Sequence, residues 1–422
     1  MNKTDILVIG SGGREHAIIK KLKESPNAGK IYCAPGNGGI SNDAQCVDIK
    51  ATDVEGVTAF AKTHNIGLTV VTPDDPLVLG MADALTCAGI RAFGPSKAAA
   101  AIEGSKVFSK WLMKKYNIPT AGYEVFDNAA DALDYIRNEN KFPTVIKADG
   151  LALGKGVVIA QDFIQAKDAI HSIMEDRIFG ASGSKVVIEE FLTGPEVSVL
   201  AFTDSKTLVP MVSSKDHKRA GDGDSGPNTG GMGTISPNPF YTAEIAQLCM
   251  DTIFMPTLDA MNSEDRPFKG CLYFGLMLTP DGPRVIEYNC RFGDPETQVV
   301  LPRLKTDLLT IFNAVIDGRL SELDIEWDSG AAACVVAASG GYPLKYETGK
   351  KITGLEGASA MDGVTVFHAG TKRIGGDFYT SGGRVLGVTA AGENLSDALK
   401  KAYAAIEKIN FDGMHFRRDI GR

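Results

Sequence analysis

The sequence predicts a mixed α/β and α+β protein built in three parts, and three observations carry that prediction. Strand-like and helix-like segments alternate over residues 1–95, which is the pattern of a parallel sheet with helices on both faces. Residues 146–159 have the pattern of a strand, a glycine-rich loop and a second strand. Beyond residue 331, short β-like runs are joined by one late helix. We therefore expect an N-terminal parallel α/β domain, a central domain with a glycine-rich hairpin, and a small C-terminal β-rich domain.

The composition is typical of a soluble globular protein. The chain has 422 residues, of which 44% are hydrophobic and 23% are charged. A formal net charge of -8 argues against a general nucleic-acid surface, and no apolar run approaches membrane length. The seven cysteines are scattered without a C-x-x-C pair, and residues 1–5 do not resemble a signal peptide. We expect a reduced, cytoplasmic protein without a nucleic-acid or membrane partner.

The predicted elements follow one another in a simple order. In the N-terminal part, apolar runs predict four strands, at residues 6–9, 31–34, 47–49 and 68–71, and helices after several of them, for example at residues 54–64. The alanine-rich run 98–101 predicts a helix at a domain boundary, and the polar turn at 326–330 predicts a second boundary. In the last part we expect strands at 334–337 and 384–388 and a helix at about 395–409.

The first glycine-rich segment, Gly10-Ser11-Gly12-Gly13-Arg14-Glu15-His16, follows the first strand and opens a helix. Glycines at that place let the backbone approach an anion at the helix N-terminus. The dinucleotide pattern G-x-G-x-x-G fails because Glu15 stands at its third glycine, and no acidic residue ends the second strand. The motif disfavours NAD, while Arg14 suits an anionic substrate group. A tight strand–helix turn without a ligand remains the alternative.

The second glycine-rich segment, residues 146–159, carries one lysine on each side of its turn, Lys147 and Lys155. It is not a P-loop, because its glycine spacing is one residue short and neither Ser nor Thr follows Lys155. A hairpin folding over a triphosphate fits better, since each lysine could contribute roughly 1.5–3 kcal/mol as a charge-assisted bond to phosphate. A flexible surface hairpin is the alternative.

Two further segments give weaker signals. Residues 186–192 form an apolar run ending in acids, which could offer a carboxylate to a ribose, although an ordinary edge strand fits equally well. Residues 215–233 combine three basic side chains with a long glycine-rich loop that could grip a phosphorylated sugar, or could be a solvated linker. His217, in this segment, reads as a hydrogen-bonding loop residue rather than a general base.

The third strong signal lies in residues 285–296. Because side chains alternate along a strand, Glu287, Asn289 and Arg291 project from one face. A carboxylate and an amide oxygen suit magnesium, which prefers one or two carboxylates with substrate phosphates, and the Arg291 fork suits phosphate or carboxylate. Asp294 and Glu296 stand at the mouth of this strand. The alternative is a strand with one solvent-exposed face, followed by a surface turn.

In this order the motifs resemble those of the ATP-grasp ligases and, more narrowly, those of the phosphoribosylamine–glycine ligase (glycinamide ribonucleotide synthetase) family. The resemblance covers nearly the whole chain, and its most specific parts are residues 227–233 and 289–296. It implies domains at residues 1–102, 103–328 and 329–422, with residues of about 122–192 forming a mobile lid over ATP.

The resemblance also implies residue roles. It implies catalytic roles for Lys147, Lys155 and Arg291, and magnesium or manganese ligands at Glu287 and Asn289. The implied ATP contacts are Lys106, Lys147, Gly154, Lys155, Gly156, Glu189, Leu192 and Glu196. The implied contacts to the other substrates are Gly12, Gly13, Arg14, Glu15, Asn37, Asp74, Asp216, Lys218, Asn228, Thr229, Gly230, Arg291, Asp294 and Glu296.

The reaction implied by the resemblance joins glycine to 5-phosphoribosylamine with ATP, through a glycyl phosphate, in purine synthesis; we expect a monomer. Two departures from the family pattern matter. Asp74 stands where the family usually has Glu, and Tyr273 and Phe274 stand where many ATP-grasp enzymes carry a further metal carboxylate. An ATP-grasp ligase with another substrate, a non-catalytic nucleotide-binding scaffold and a dehydrogenase are the rival readings.

Overall fold

The N-terminal part of the chain is a parallel sheet with helices packed around it. The computed structural model describes residues 3–151 and 156–422. The five strands have the order β3-β2-β1-β4-β5, and all neighbouring pairs are parallel. Ile6, Leu7, Val8 and Ile9 of the central strand are fully buried, which explains why that strand reads as a continuous apolar run. The elements are β1 Thr4–Gly10, α1 Gly13–Lys23, β2 Ala28–Pro35, β3 Gln45–Cys46, α2 Val54–Thr63, β4 Leu68–Val71, α3 Asp74–Leu79, α4 Met81–Cys87 and β5 Ala92–Phe93.

One N-terminal prediction was wrong in position. The strand expected at residues 47–49 is instead β3, Gln45–Cys46, which pairs with Tyr32 and Cys33 of β2. The Ile49 N–H donates to the Val47 carbonyl at 2.8 Å, and this tight turn takes the backbone out of the sheet. The apolar side chains of Val47 and Ile49 still pack against the core, so the apolar pattern reported burial correctly but not strand pairing.

Two helices lead from the N-terminal part into the central part. They are α5 Lys97–Gly104, which contains the predicted alanine-rich run, and α6 Lys106–Lys115. Ser96 caps the first and Ser105 caps the second, each by accepting a backbone N–H of the first turn. The close succession of the two helices places Lys106 at the start of α6, beside the glycine-rich hairpin.

A four-stranded antiparallel sheet forms the lid region, in the order β6-β9-β7-β8. Its elements are β6 Tyr123–Phe126, α7 Ala129–Glu139, β7 Thr144–Ala148, β8 Val157–Ala160, α8 Phe163–Ile170 and β9 Val186–Glu190. Strands β7 and β8 pair as the predicted hairpin, with Lys147 opposite Val157. Gly154 and Lys155, expected to contact ATP, lie outside the described residues. Gly156 accepts a backbone hydrogen bond from Ala148 at 2.9 Å.

A second antiparallel sheet, in the order β11-β10-β16-β17, forms the base of the central part. The elements of this stretch are β10 Glu196–Asp204, β11 Leu208–Pro210, β12 Lys215–Asp216, β13 Arg219–Gly221, β14 Ser225–Asn228, β15 Gly233–Ser236, α9 Ala243–Cys249, α10 Met255–Ser263, β16 Lys269–Thr279, β17 Gly282–Asn289, α11 Thr297–Val300 and α12 Leu308–Asp317. Strand β17, which carries the predicted metal ligands, is the edge strand of this sheet.

The C-terminal part is built on a sheet that also includes two strands from the central part. Its order is β12-β15-β18-β23-β20, so β12 and β15, from residues 215–236, pair with strands beyond residue 330. A smaller sheet has the order β19-β22-β21. The elements are β18 Ala331–Ala338, β19 Lys351–Ile352, α13 Leu355–Ser359, β20 Val364–His368, β21 Thr371–Ile374, β22 Asp377–Thr380, β23 Arg384–Gly392 and α14 Leu395–Ile406. This shared sheet fixes the 215–233 segment beside the C-terminal strands.

The residues that the structure describes include no helix long and apolar enough to cross a membrane.

Candidate functional site

The loop between β1 and α1 is organised by a buried carboxylate. Glu15 is 1% exposed. It accepts hydrogen bonds from the Gly12 N–H at 2.5 Å, from the Thr72 hydroxyl at 2.7 Å and from Arg14 Nε at 2.6 Å. Gly13 packs against Gln298, whose amide group would have to move to make room for a side chain at that position. Glu15 therefore shapes the loop from within, whereas Gly12 remains at the surface of a cavity.

Asn37 has a comparable structural role. Its amide group donates to the carbonyls of Ser11 and His368, both at 2.8 Å. Its oxygen accepts the N–H groups of Gly39 and Ile40, both at 2.9 Å. All of these bonds go to backbone groups, so Asn37 fastens the loop after β2 to the first glycine-rich loop and to the C-terminal part.

The row expected on β17 is present and faces the space below the lid. Glu287 lies opposite Gly275, and Asn289 lies opposite Tyr273, on the neighbouring strand. The residue facing Glu287 is thus a glycine, so no second carboxylate stands across from it. Burial raises the pKa of Glu287, but Lys218, Lys147 and Lys106 outweigh that effect, and the net pKa lies below its ordinary value. Glu287 is therefore ionised and ready to accept a cation.

Arg291 is held in place by a carboxylate to which the sequence analysis gave no role. Glu103, at the end of α5, contacts Arg291 Nη2 at 3.0 Å and accepts the Cys290 N–H at 2.7 Å. The same Nη2 donates to Asn289 Oδ1 at 3.0 Å. Although burial opposes it, the charge of Glu103, followed by that of Asp74, raises the pKa of Arg291. Only the fold brings Glu103 and Arg291 together, because they are 188 positions apart.

Two lysines reach the same space from the lid side. Lys106 Nζ donates to the Gly150 carbonyl at 2.8 Å, and burial lowers the pKa of Lys106. Lys147 Nζ donates to the Ile286 carbonyl at 3.0 Å, next to Glu287 in the chain, and lies 2.9 Å from Glu189 Oε1. The structure thus brings Lys106 and Lys147, two of the three lysines predicted to contact ATP, close to the predicted metal ligand Glu287.

The residues expected around adenine and ribose differ in how far they are buried and in their charged partners. Strand β9 lies between β6 and β7, so the edge-strand alternative was wrong. The Glu189 carboxylate is buried, and it pairs with Lys147 and with Lys110. Leu192 and Glu196 are partly exposed. Glu196 Oε2 lies 3.2 Å from Lys218 Nζ, which is 3.9 Å from Glu287 Oε1.

The C-terminal part contributes an arginine that the sequence analysis missed. Arg384, at the start of β23, contacts Asp294 Oδ2 at 3.0 Å and the Asp294 carbonyl at 2.8 Å, and also donates to the Gly230 carbonyl. The Gly230 N–H donates to the Tyr342 hydroxyl at 3.0 Å. Burial opposes ionisation of Asp294, but Arg384 and Arg14 hold its pKa below the ordinary value. The predicted strand at 384–388 gave no sign that its first residue faces a site.

Two acidic side chains, those of Asp216 and Glu296, lie close together and near Lys218 and Arg384. Burial raises the pKa of Asp216 well above its ordinary value, and the nearby charge of Glu296 raises it further. Glu296 is 4% exposed and accepts the Tyr273 hydroxyl at 3.1 Å and the Ser198 hydroxyl at 3.3 Å. A carboxylate pair of this kind favours a bound cation, because a positive charge relieves the repulsion between the two.

Asn228 and Thr229 of the long loop have partners within the loop segment itself, residues 215–233. Asn228 pairs with Arg219 in the β13–β14 hairpin. The Thr229 hydroxyl donates to the Lys218 carbonyl at 2.8 Å and accepts the Gly231 N–H at 3.0 Å.

His217 accepts the Gly421 N–H at Nε2, so its proton sits on Nδ1 facing the Gly233 carbonyl at 3.1 Å. Burial lowers the pKa of His217 to about 4; it is a neutral hydrogen-bonding residue, as the sequence analysis proposed.

A cavity of about 400 Å³ opens between the first glycine-rich loop and the C-terminal strands. It is lined by the N-terminal loops, by Asp294 and by residues beyond 340: Ser11, Gly12, Gly36, Asn37, Asp294, Tyr342, Ala369, Gly370, Thr371, Ser381, Gly382 and Arg384. Its polar lining and its position beside Arg291 and Asp294 make it suitable for a small, hydrophilic substrate.

The donor set at Glu287 and Asn289 fits a magnesium ion completed by phosphate oxygens. Among residues 3–151 and 156–422, no group of three or more His, Cys, Asp or Glu side chains is arranged to hold a metal alone. One ionised carboxylate with one amide oxygen is the protein share expected when substrate phosphates supply the other ligands.

Family models match three consecutive stretches of the chain. Residues 4–103 match the N domain of phosphoribosylglycinamide synthetase, residues 104–297 match its ATP-grasp (A) domain, and residues 332–422 match its C domain. A phosphoribosylamine–glycine ligase of Rhodopirellula baltica is 51% identical, over 100% of this chain and 98% of the relative. One of Clostridium acetobutylicum is 50% identical, over 99% of each chain.

Solved structures agree with these matches. A phosphoribosylamine–glycine ligase of Thermotoga maritima has a TM-score of 0.83 and 34% identity, over 99% of this chain and 100% of that chain. The biotin carboxylase domain of Hydrogenobacter thermophilus 2-oxoglutarate carboxylase, in complex with MgADP, has a TM-score of 0.75. It covers 99% of this chain and 92% of that chain, and at 14% identity it shares the fold alone.

Proposed function

The chain belongs to the phosphoribosylglycinamide synthetase family of ATP-grasp ligases, and we propose that the site described above joins glycine to 5-phosphoribosylamine. The products are glycinamide ribonucleotide, ADP and phosphate. The observation that carries the proposal is the convergence of Lys106, Lys147 and Arg291 on Glu287 and Asn289. These residues combine cations for a triphosphate with oxygen ligands for magnesium. The dehydrogenase reading is set aside, since neither the family nor the first loop supports it.

The reaction needs an activated carboxylate, because a carboxylate is a poor electrophile. A carboxylate oxygen of glycine attacks the γ-phosphorus of ATP, and ADP leaves to give glycyl phosphate. The amine of phosphoribosylamine then attacks the acyl carbon, phosphate leaves, and the nitrogen loses a proton to form the amide. Magnesium, when bound, spreads the charge of the phosphoryl group. Lys147 and Arg291 supply fixed positive charge on either side of that group, so their contribution is electrostatic positioning.

Separate regions of the site accommodate the two smaller substrates. Phosphoribosylamine occupies the 400 Å³ cavity, where Asp294, Arg384 and the backbone of Gly12 face its hydroxyl and phosphate oxygens. The ammonium group of glycine lies near Asp216 and Glu296, whose mutual repulsion it relieves. Lys218 stands between Glu196 and Glu287 and so connects the ribose side of ATP with the metal ligands.

The proposal also includes the domain boundaries, the metal that supports turnover and the state in which the enzyme works. The functional domains are residues 1–102, 103–328 and 329–422, with about 122–192 as the lid, and Gly154 and Lys155 are assigned to ATP binding. Manganese replaces magnesium in turnover because the donors are one carboxylate and one amide oxygen. The enzyme works as a cytoplasmic monomer without nucleic acid, in line with the metabolic role of its family and with the net charge of -8.

The experiment that tests this proposal measures ADP release with magnesium and ATP, adding glycine and freshly prepared phosphoribosylamine singly and then together. We expect ADP release only when both are present, with a product of the mass of glycinamide ribonucleotide. Release of ADP with a different acceptor and none with this pair would overturn the substrate assignment. Binding of ATP without turnover under any of these conditions would favour a nucleotide-binding scaffold.

A further inference from the structure

A buried lysine that takes no part in the proposed chemistry lies directly behind the ATP-facing residues. Lys110, on α6, is 2% exposed. Its Nζ lies 2.9 Å from Glu189 Oε2 and donates to the Thr120 hydroxyl at 2.8 Å. The other oxygen of Glu189 lies 2.9 Å from Lys147 Nζ. One carboxylate is therefore shared between two ammonium groups, only one of which reaches the proposed phosphate site.

These contacts connect the lid to the base of the site. The Thr120 hydroxyl donates to the Val285 carbonyl at 2.7 Å, and Lys147 donates to the carbonyl of the next residue, Ile286, at 3.0 Å. The path from β17 through Thr120, Lys110, Glu189 and Lys147 thus returns to β17 one residue further on. It crosses from α6 and β17 to the lid strands β7 and β9, and it ends beside Glu287.

Lys110 matters because it sets the net charge of the group formed by Lys110, Glu189 and Lys147. Two ammonium groups and one carboxylate leave a net charge of about +1 when both lysines are protonated. Burial lowers the pKa of Lys110 to about 8, with Glu189 acting in the opposite direction, so Lys110 is protonated at neutral pH. Without Lys110, Lys147 would be the only lysine paired with Glu189 among the residues that the structure describes, and that pair would have no net charge.

We propose that Lys110 is a positioning residue that binds Glu189 from behind and so preserves the positive charge that Lys147 presents to the phosphates of ATP. The inference rests on the proposed ATP-dependent function, because it assigns Lys110 a role only through Lys147. It predicts that nucleotide binding depends on a residue that the nucleotide does not touch.

The test compares Lys110→Met with the double variant Lys110→Met/Glu189→Gln and with a matched control, Lys114→Met. Lys114 is an exposed residue on the same helix, and its Nζ lies 5.6 Å from the ring of Tyr123, against 5.7 Å for Lys110. Affinities for ATP and ADP with magnesium are measured by calorimetry, and KM values for ATP and glycine by ADP release. Thermal unfolding shows whether each variant is folded.

We expect Lys110→Met to weaken ATP binding and to raise the KM for ATP by about ten- to a hundredfold, the range of one charge-assisted bond, with the KM for glycine nearly unchanged. In the double variant the carboxylate that would neutralise Lys147 is removed as well, while a polar amide remains at position 189, so ATP affinity should recover most of that loss. Lys114→Met should behave like the wild type.

Two outcomes overturn the inference: Lys110→Met binding ATP as well as Lys114→Met does, or the double variant binding no better than Lys110→Met. If Lys110→Met fails to fold, Lys110→Arg decides, because it retains the charge and must retain the ATP affinity. Failure of the wild type to join the two substrates would overturn the proposed function, while the calorimetric comparison would still decide the role of Lys110.

Discussion

The two sides of the site differ in how their charges are balanced. On the side of the cavity, Asp294 is paired with Arg384, Glu15 with Arg14, and Asn37 has its polar atoms bonded to backbone. On the side under the lid, Lys110 and Lys147 share the one carboxylate of Glu189, and Glu287 is influenced by Lys218, Lys147 and Lys106 together. On the cavity side each carboxylate has an arginine as its partner, whereas under the lid several lysines share a carboxylate.

This difference matches the ligands proposed for each side. A triphosphate brings several negative charges, and the protein meets them with cations that it holds apart at the cost of desolvating them. Phosphoribosylamine carries one phosphate and two ribose hydroxyl groups, and an Arg–Asp pair with backbone N–H groups can bond these with fewer cations than a triphosphate needs. Substitutions on the lid side should therefore affect ATP and catalysis, while those in the cavity should affect one substrate only.

The largest effect should come from removing the charge that faces ATP. Lys147→Met should lower kcat/KM for ATP by about a hundred- to a thousandfold, the range for one preorganised electrostatic contact in a transition state. The fold should persist, because Glu189 remains paired with Lys110. The measurement is ADP release under steady-state conditions, with Lys141→Met, an exposed lid residue, as the control. Wild-type turnover in Lys147→Met would show that the lid side does not carry the chemistry.

Glu103→Gln should have the next largest effect, and on a different parameter. Its amide can still bond Arg291, but the ion pair that orients the guanidinium is lost. We expect kcat to fall by about tenfold or more, with the KM for ATP changing little, because Arg291 acts on the moving phosphoryl group. Steady-state kinetics with thermal unfolding checks this. A change confined to the unfolding temperature would make Glu103 purely structural.

The parts of the fold and of the site that could be predicted from the sequence are those that depend on local patterns. Strand periodicity placed Glu287, Asn289 and Arg291 on one face, because alternation along a strand is a local property. The N-terminal parallel sheet and the β7–β8 hairpin were predicted for the same reason. Glu103, Lys110 and Arg384 were missed as functional residues because their partners lie 188, 79 and 90 positions away. No local pattern distinguishes them from ordinary helix or strand residues.

The role of Glu15 shows the complementary failure. Its place in the glycine-rich motif suggested a substrate contact, yet it is buried and accepts three bonds from the protein. A polar residue beside a ligand loop can serve either purpose, and the sequence does not record which way its side chain turns. The joining of β12 and β15 to the C-terminal sheet is likewise a long-range pairing without a local signal.

A smaller and more selective effect is expected in the cavity. Arg384→Met should raise the KM for phosphoribosylamine by about tenfold, since Asp294 and Gly230 lose a shared charged donor. The KM for ATP should stay within about twofold of the wild type. Varying each substrate in turn separates the two values. An equal rise in both would contradict the division of the site into two electrically different sides.

The smallest expected effect is a change of ATP affinity with pH, caused by the titration of Lys110 on the lid side. Lys110 has a pKa of about 8, and the charged or titratable groups around it are Glu189, Glu190, Lys147 and Tyr123. Below that pH Lys110 is protonated and shares Glu189 with Lys147. As the pH rises through about 8 it loses its proton, Glu189 is left to neutralise Lys147, and ATP affinity should fall severalfold. Calorimetry with MgATP between pH 6.5 and 9.5 measures this, and Lys110→Arg should shift the decline to higher pH because guanidinium stays protonated. A decline that is identical in Lys110→Arg would have to arise from another group, and the positive charge that Lys147 presents to ATP would then not depend on Lys110.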